Sequence, residues 1–210
     1  MLVYIQSMKN TDKQKQSRKP TAIRQLEIVD AAMQILATEG ARQFTADRLG
    51  EAVGLASGSI FRHFSSMEEI LDGVVNRIEE IIFEDFPPSD SNPLERLRRF
   101  FDKRAHVIIE HPEVSRLLLT SMLIPQGCSE TRVKRLLEFK AKTKSFVTNC
   151  LKEAKKDGLL AADILLEEST ILVFGTINAI GQMVISKEGF KGKDNLIDRV
   201  WSLLERTIKK

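Results

Sequence analysis

Apolar residues recur with helical spacing along nearly the whole chain, and the strict alternation of a half-buried strand is almost absent, which predicts an all-α protein. Ile28, Ala32, Ile35 and Leu36 mark the inner face of a first helix from Arg24 to Thr38, which stops at Gly40. Thr45 is an N-cap candidate with Asp47 in the following turn, where a carboxylate suits the positive helix end. Leu49, Ala52, Val53, Leu55, Ile60 and Phe64 then form the shared core of two short helices. Between them the chain reverses at Gly54, a residue that accepts positive φ without steric cost. Ser66 and Glu69 are spaced as a capping box opening a helix over residues 67–85, with a stripe of Ile70, Leu71, Val74, Ile78 and Ile81. That helix ends before Phe86-Pro87-Pro88.

The segment PPSDSNP, residues 87–93, is the strongest boundary signal, so the preceding helix connects two bodies. Beyond it the pattern predicts helices from Leu94 to Glu110 and, after a break at His111-Pro112, from Glu113 to Ile124, closed by Pro125-Gln126-Gly127. A long helix from Thr131 to Asp157 follows, with Lys155 and Lys156 at its negative end and Gly158 as its stop. Two more run from Asp163 to Lys187 and from Asp194 to Lys209, about nine helices in all. The organisation is a flexible basic arm at 1–20, a three-helix helix-turn-helix domain at 21–66, and a helical bundle at 67–210 that begins with the connecting helix.

The stretch Ile164 to Ile185 is apolar nearly all round, so one of its faces needs a partner beyond the core of its own domain. The last helix adds Ile197, Val200, Trp201, Leu204 and Ile208, with Leu196 and Leu203 beside them. Two such helices from each of two chains make a four-helix bundle with Ile177, Ile180, Val184, Val200, Trp201, Leu204 and Ile208 at the interface of a homodimer; the alternative is a closed monomeric core. A bilayer span is excluded, because the longest apolar stretch, Ile171 to Ile185, has 15 residues including Thr176, Asn178 and Gln182, against roughly 20 needed.

Charge narrows the reading further. Residues 1–64 hold nine Lys+Arg and six Asp+Glu, whereas residues 65–210 hold 23 of each, so the whole net charge of +3 belongs to the N-terminal part. Lys9, Lys13, Lys15, Arg18, Lys19 and Arg24 form an arm that either follows phosphates or a minor groove, or is a solubilising tail. Cys128 and Cys150 are too far apart for a C-x-x-C pair and too few for a disulfide framework, which suits a reducing cytoplasm and indifferent thiols. The opening MLVYIQSMKN lacks the features of a signal peptide, and Met8 is an alternative start. His63, His106 and His111 are not paired at helical spacing, and H-E-x-x-H, nucleophile-elbow and P-loop motifs are absent, so we expect no enzyme, metal or cofactor. His106 is either a satisfied core histidine or a polar group in a ligand cavity, and His111 is a helix terminus.

In the helix-turn-helix, Ser57, Ser59, Phe61, Arg62 and His63 face outward on a helix that a major groove is wide enough to admit. Arg62 can pair bidentately with guanine O6 and N7, or bind phosphate alone. One such unit covers a half-site, and a symmetric dimer reads an inverted repeat in double-stranded DNA.

These residues resemble the TetR/AcrR family of one-component transcriptional regulators. The likeness rests on RQLEIVDAAMQILATEG from Arg24 to Gly40, on Thr45, on Ala52-Val53-Gly54-Leu55, on Gly58-Ser59-Ile60-Phe61-Arg62-His63-Phe64, and on Glu68-Glu69-Ile70-Leu71. It implies a repressor whose DNA contacts come from Arg24, Thr45, Ser57, Gly58, Ser59, Phe61, Arg62 and His63. Three positions depart from the family pattern. Ala56 replaces a capping serine and leaves that task to Ser57, Phe61 replaces a tyrosine and loses its hydroxyl, and Met67 replaces a lysine that would meet phosphate.

The resemblance also implies a small-molecule effector among the fifth to eighth helices, with Phe100, His106, Leu118, Met122, Phe139, Phe146, Phe174, Asn178 and Met183 as candidate lining, each equally an ordinary core residue. Such a lining suits a lipophilic or aromatic ligand. FRHF followed by SSMEEILDGVVNRIEE is also similar to a nucleoid-occlusion factor on the same fold, which makes a DNA-bound interaction protein acting on a partner protein the alternative. Either protein would be cytoplasmic and associated with the nucleoid.

Overall fold

The computed structural model describes residues 19–120, 123, 129–186 and 195–210; the arm before Lys19, Met122, Ile124, the Pro125-Gln126-Gly127 turn and Cys128 lie outside them. The helices are α1 (Thr21–Thr38), α2 (Ala46–Val53), α3 (Ser57–Ile60), α4 (Met67–Phe83), α5 (Pro93–Glu110), α6 (Pro112–Leu119), α7 (Glu130–Lys156), α8 (Leu166–Ile185) and α9 (Leu196–Ile208). A 3-10 turn, Ala41–Gln43, precedes α2. The all-α architecture with an N-terminal helix-turn-helix is as the periodicity predicts. Among the described residues, extended pairing is limited to one antiparallel bridge between Leu160 and Lys209.

Local chemistry explains most helix ends. Thr45 caps α2 by accepting the Arg48 amide at 3.2 Å, and Ser66 caps α4 by accepting the Glu69 amide at 3.1 Å. The Glu69 carboxylate turns back to the amide and hydroxyl of Ser65, one residue earlier than a reciprocal box requires, and those bonds hold it below the usual carboxylate range. α1 begins three residues before the expected Arg24, because Pro20 supplies a carbonyl that accepts from the Arg24 amide at 3.1 Å. α5 likewise opens on Pro93, whose missing N–H costs nothing at a first helical position. Asn92 Oδ1 accepts from the next two amides, Leu94 at 2.8 Å and Glu95 at 3.3 Å. α6 stops at Leu119, short of the expected Ile124. His111 is the hinge between α5 and α6, as its place before Pro112 suggests.

Two apolar clusters make the core. One joins α1 to α4 with α6 and the start of α7, and the other joins α5, the rest of α7, α8 and α9. Ala52, expected in the first, is exposed: the buried side of α2 passes through Leu49 and Gly50, with Val53 half-buried. In α4 the stripe ends on buried Ile82, with Ile81 half-buried beside it.

Five of the seven expected dimer residues are placed inside the chain's own core. Trp201 is 2% exposed, and Leu204, Ile208, Ile177 and Ile180 are buried as well, all packed within the chain's own second cluster. The Trp201 ring meets Phe101 at 5.3 Å between centroids and lies under the Arg98 guanidinium. Val184 and Val200 are half-buried at the edge of this cluster. On α8 and α9 the apolar side chains left outside are different ones: Leu165, Ile171 (63% exposed) and Leu172, with exposed Gly175 and Ala179 one and two turns on from Ile171, and Leu203 (57% exposed) on α9. By length and hydropathy α8 is the one described helix able to cross a membrane, yet its other face is packed on α5, α6 and α7.

Candidate nucleic-acid interface and effector cavity

α2 and α3 meet through an unusually close backbone approach. A Cβ on Gly50 would lie 2.5 Å from the Leu55 carbonyl oxygen and 3.2 Å from the Ser57 amide nitrogen, so only glycine lets the turn fold back on α2. Gly54 makes the reversal at φ 69° and ψ 38°, and Leu55 donates to Gly50 O at 2.8 Å. Ser57 does not cap α3: the N-cap is Ala56, which has no side-chain oxygen, and Ser57 is the first helical residue. α3 continues past Ile60 in a tight turn in which Arg62 donates to Ser59 O and His63 to Ile60 O.

α1 holds this unit from behind. Gln25 Nε2 donates to the His63 carbonyl at 2.9 Å, and Arg24 Nη1 bonds Glu27 at 2.8 Å and reaches the Val53 carbonyl at 3.4 Å. The Arg24 side chain is only 14% exposed, so this expected DNA contact is placed as an internal brace. Arg48 makes a two-bond pair with Glu39, at 2.7 and 2.9 Å, and Lys19 pairs with Glu27.

The outward surface contains Gly58, Phe61 (47% exposed) and Arg62, with Ser57, Ser59 and His63 half-buried and Thr45 exposed at the start of α2. His63 Nδ1 is enclosed without a hydrogen-bond partner. Of the cations at positions 19–64, Arg42 and Arg62 are the two without an ion pair among the described residues. Arg42, in the 3-10 turn ahead of Thr45, was not singled out from the sequence; a basic residue three positions before an N-cap was the available signal. Met67 is half-buried against the first core cluster.

A cavity of about 390 Å³ opens between α4, α5, α6, α7 and α8. Of the expected lining residues, Leu118, Phe139, Phe174 and Asn178 are on its wall. Phe100 and Phe146 are in an aromatic cluster with Phe86, with Phe100–Phe146 centroids at 5.3 Å, and do not line it. Met183 is half-buried elsewhere on α8, and Met122 lies outside the described residues. His106 corrects both alternatives held for it: it is exposed, with Nδ1 against the Asp102 carbonyl at 2.7 Å, because the turn of α5 aims Arg104, Val107 and Ile108 at the cavity instead.

The cavity wall is continuous with the supports of the helix-turn-helix. Ile82 lines the cavity from α4, Val114, Ser115, Leu118 and Leu119 line it from α6, and both helices pack on α1. α7 is fastened to α4 by Arg132, which bonds Glu68 and Asp72, and by Arg135, which bonds Asn76 at 2.6 Å and Glu79. Cys150, buried under α5, has its thiol pushed up to about 11 by that burial.

Comparison with known proteins agrees with this geometry. The family model for bacterial regulatory proteins of the tetR family matches residues 28–74, which span the last part of α1 through the middle of α4. The chain is 31% identical over 102 residues to the HTH-type transcriptional repressor KstR2 of Mycobacterium tuberculosis, an alignment covering 43% of this chain and 51%, about half the length, of that relative. The solved structure of that ketosteroid transcriptional regulator superposes with a TM-score of 0.74 at 20% identity, over 89% of this chain and 95% of the other. The nucleoid occlusion factor SlmA of Vibrio campbellii is 27% identical over 204 residues, covering 89% of this chain and 96% of its own. The Bacillus subtilis regulator FadR in complex with stearoyl-CoA shares the fold, with a TM-score of 0.58 at 20% identity over 86% of this chain and 95% of the other.

Proposed function

The chain belongs to the TetR family of DNA-binding transcriptional regulators, and from that premise we propose that it is a dimeric repressor released from an inverted-repeat operator by a small lipophilic effector. The observation that carries this reading is the cavity, whose α4 and α6 walls also support α1. A ligand that favours one setting of those walls shifts the spacing of two reading heads by as much as its affinities for the two settings differ. Two relatives in the fold are named for ligands or pathways with large apolar bodies, a ketosteroid and stearoyl-CoA, which supports the lipophilic class.

The proposed DNA contacts are Thr45, Ser57, Gly58, Ser59, Phe61, Arg62 and His63, with Arg42 added and Arg24 removed. Phe61 packs its ring along the sugar-phosphate edge, and Arg62 reads a base. The proposed dimer face is the outer side of α8 with Leu203. The protein acts in the cytoplasm, where its operator is.

Selection of bound sequences from random duplexes tests the reading. The expected product is an inverted repeat, and Arg62→Ala should cost about 1–3 kcal/mol per contacted site while relaxing one base pair in each half-site. Equal losses on selected and random DNA would make Arg62 a phosphate contact only, and a product without dyad symmetry would overturn the dimeric operator.

The alignment with SlmA runs along nearly the whole chain and favours a second reading, a DNA-bound protein that acts on a partner protein. The cavity supports the effector reading over it. Selected sites scattered around the chromosome, rather than clustered at promoters, would reverse that preference.

A further inference from the structure

The cavity carries cations and no counter-charge. Arg104, Lys140 and Lys144 line it, and none of its lining residues is Asp or Glu. Lys140 and Lys144 are exposed and one turn apart on α7. Arg104 projects from α5 with Nη2 enclosed and without a hydrogen-bond partner. Its guanidinium lies over the rings of Phe100 at 5.5 Å and Phe83 at 5.7 Å, which attract a cation but accept no N–H in its plane. Burial pushes its pKa down to about 10, the shift expected when a charge loses water and gains no opposite charge.

The other cations of α5 are matched. Arg96 pairs with Glu153, Arg98 with Asp102 and Asp198, Arg99 with Asp90, and Lys103 with Asp85. Arg96 also has an enclosed Nε without an acceptor, but Arg104 alone among them has no acid partner in the described structure, and it stands beside an apolar space large enough for a ligand. An enclosed, unsatisfied donor destabilises the empty protein, and a planar guanidinium is shaped to take a carboxylate or phosphate through two parallel bonds.

We propose that the effector is an anionic amphiphile, with its apolar body among Leu118, Phe139 and Phe174 and its carboxylate or phosphate head on Arg104, flanked by Lys140 and Lys144. This rests on the effector reading of the cavity and narrows it from any lipophilic molecule to one with a negative head. Thr143 of α7 and Asn178 of α8 add neutral polar groups to the lining.

The test is calorimetric titration of the full-length protein with laurate, dodecyl phosphate and dodecanol, which share a tail and differ in the head. At least one of the two anions should bind about 10-fold or more tighter than dodecanol, the scale of a charge-assisted bond, and which anion leads identifies the head. Arg104→Met, similar in reach but uncharged, should erase that preference while leaving dodecanol affinity within about threefold. Should Arg104→Met fail to fold, the pair Lys140→Gln and Lys144→Gln, on the exposed side, should still reduce the anion preference and its salt dependence. Equal binding of all three probes would overturn the head-group assignment and leave the effector cavity standing. Binding of none would overturn both.

Discussion

Arg132 of α7 donates twice to one oxygen of Asp72 on α4, from Nε at 3.0 Å and from Nη2 at 2.9 Å, and the same Nη2 reaches Glu68 at 2.8 Å. The arginine is buried while both acids are more than half exposed, so α7 inserts a charged side chain to grip the first turns of α4, soon after α3. Arg132→Met should lower stability by about 1.5–3 kcal/mol, the worth of hydrogen bonds to charged groups. Asp72→Asn should cost less, because Glu68 still holds the guanidinium and the amide oxygen still accepts. Urea denaturation of the two variants checks the order, and equal losses would mean that the Asp72 charge carries the whole worth of the guanidinium, with Glu68 adding nothing.

Two glycines in the helix-turn-helix should respond in opposite ways. Gly50→Ala places a methyl 2.5 Å from the Leu55 carbonyl oxygen, where backbone must move, and should destabilise the protein by about 1–3 kcal/mol, as overpacking does. Gly58 faces open space, so Gly58→Ala should hold or raise the melting temperature through better helix propensity. Its added methyl stands on the proposed DNA surface and should weaken operator binding. Thermal melts paired with DNA binding separate the two effects.

The dimer face is testable by the contrast between an outer and an inner residue. Ile171→Asp, alone or with Leu203→Glu, should give folded monomers in light scattering, since both side chains are exposed within one chain. Trp201→Ala should instead cost about 3–5 kcal/mol of fold stability, the usual loss for a buried aromatic. A dimer that survives Ile171→Asp would remove α8 from the interface.

Cys150 should resist alkylation at pH 8 in the native protein and react on unfolding, measured in a Cys128→Ser background. Its thiol is raised from an ordinary 9.0 to about 11, so between these values the unfolded chain has lost the proton that the folded chain keeps. Fewer protons are then bound when unfolded, and stability should fall as pH rises through that window. Cys150→Ala should flatten this alkaline decline.

The amino-acid sequence by itself determines the helices, most of their ends and the helix-turn-helix, because those depend on residues within a turn or two of one another. Thr45, Gly54, Ser66 and Pro112 each act on neighbours in the chain, and the run from Gly58 to Phe64 carries its own pattern. Only the tertiary structure decides which face of an all-round apolar helix is spent at home. Burial of apolar area has no direction of its own, so periodicity could not say whether Ile177, Trp201 and Leu204 or Ile171 and Leu203 would face outward. The long-range packing of α8 and α9 on α5 and α7 settled it. The same holds for the cavity. His106 and Arg104 are two residues apart on one helix, and only the rotation of α5 against its neighbours turned the histidine to solvent and left the arginine, without an acid, facing the space between the helices.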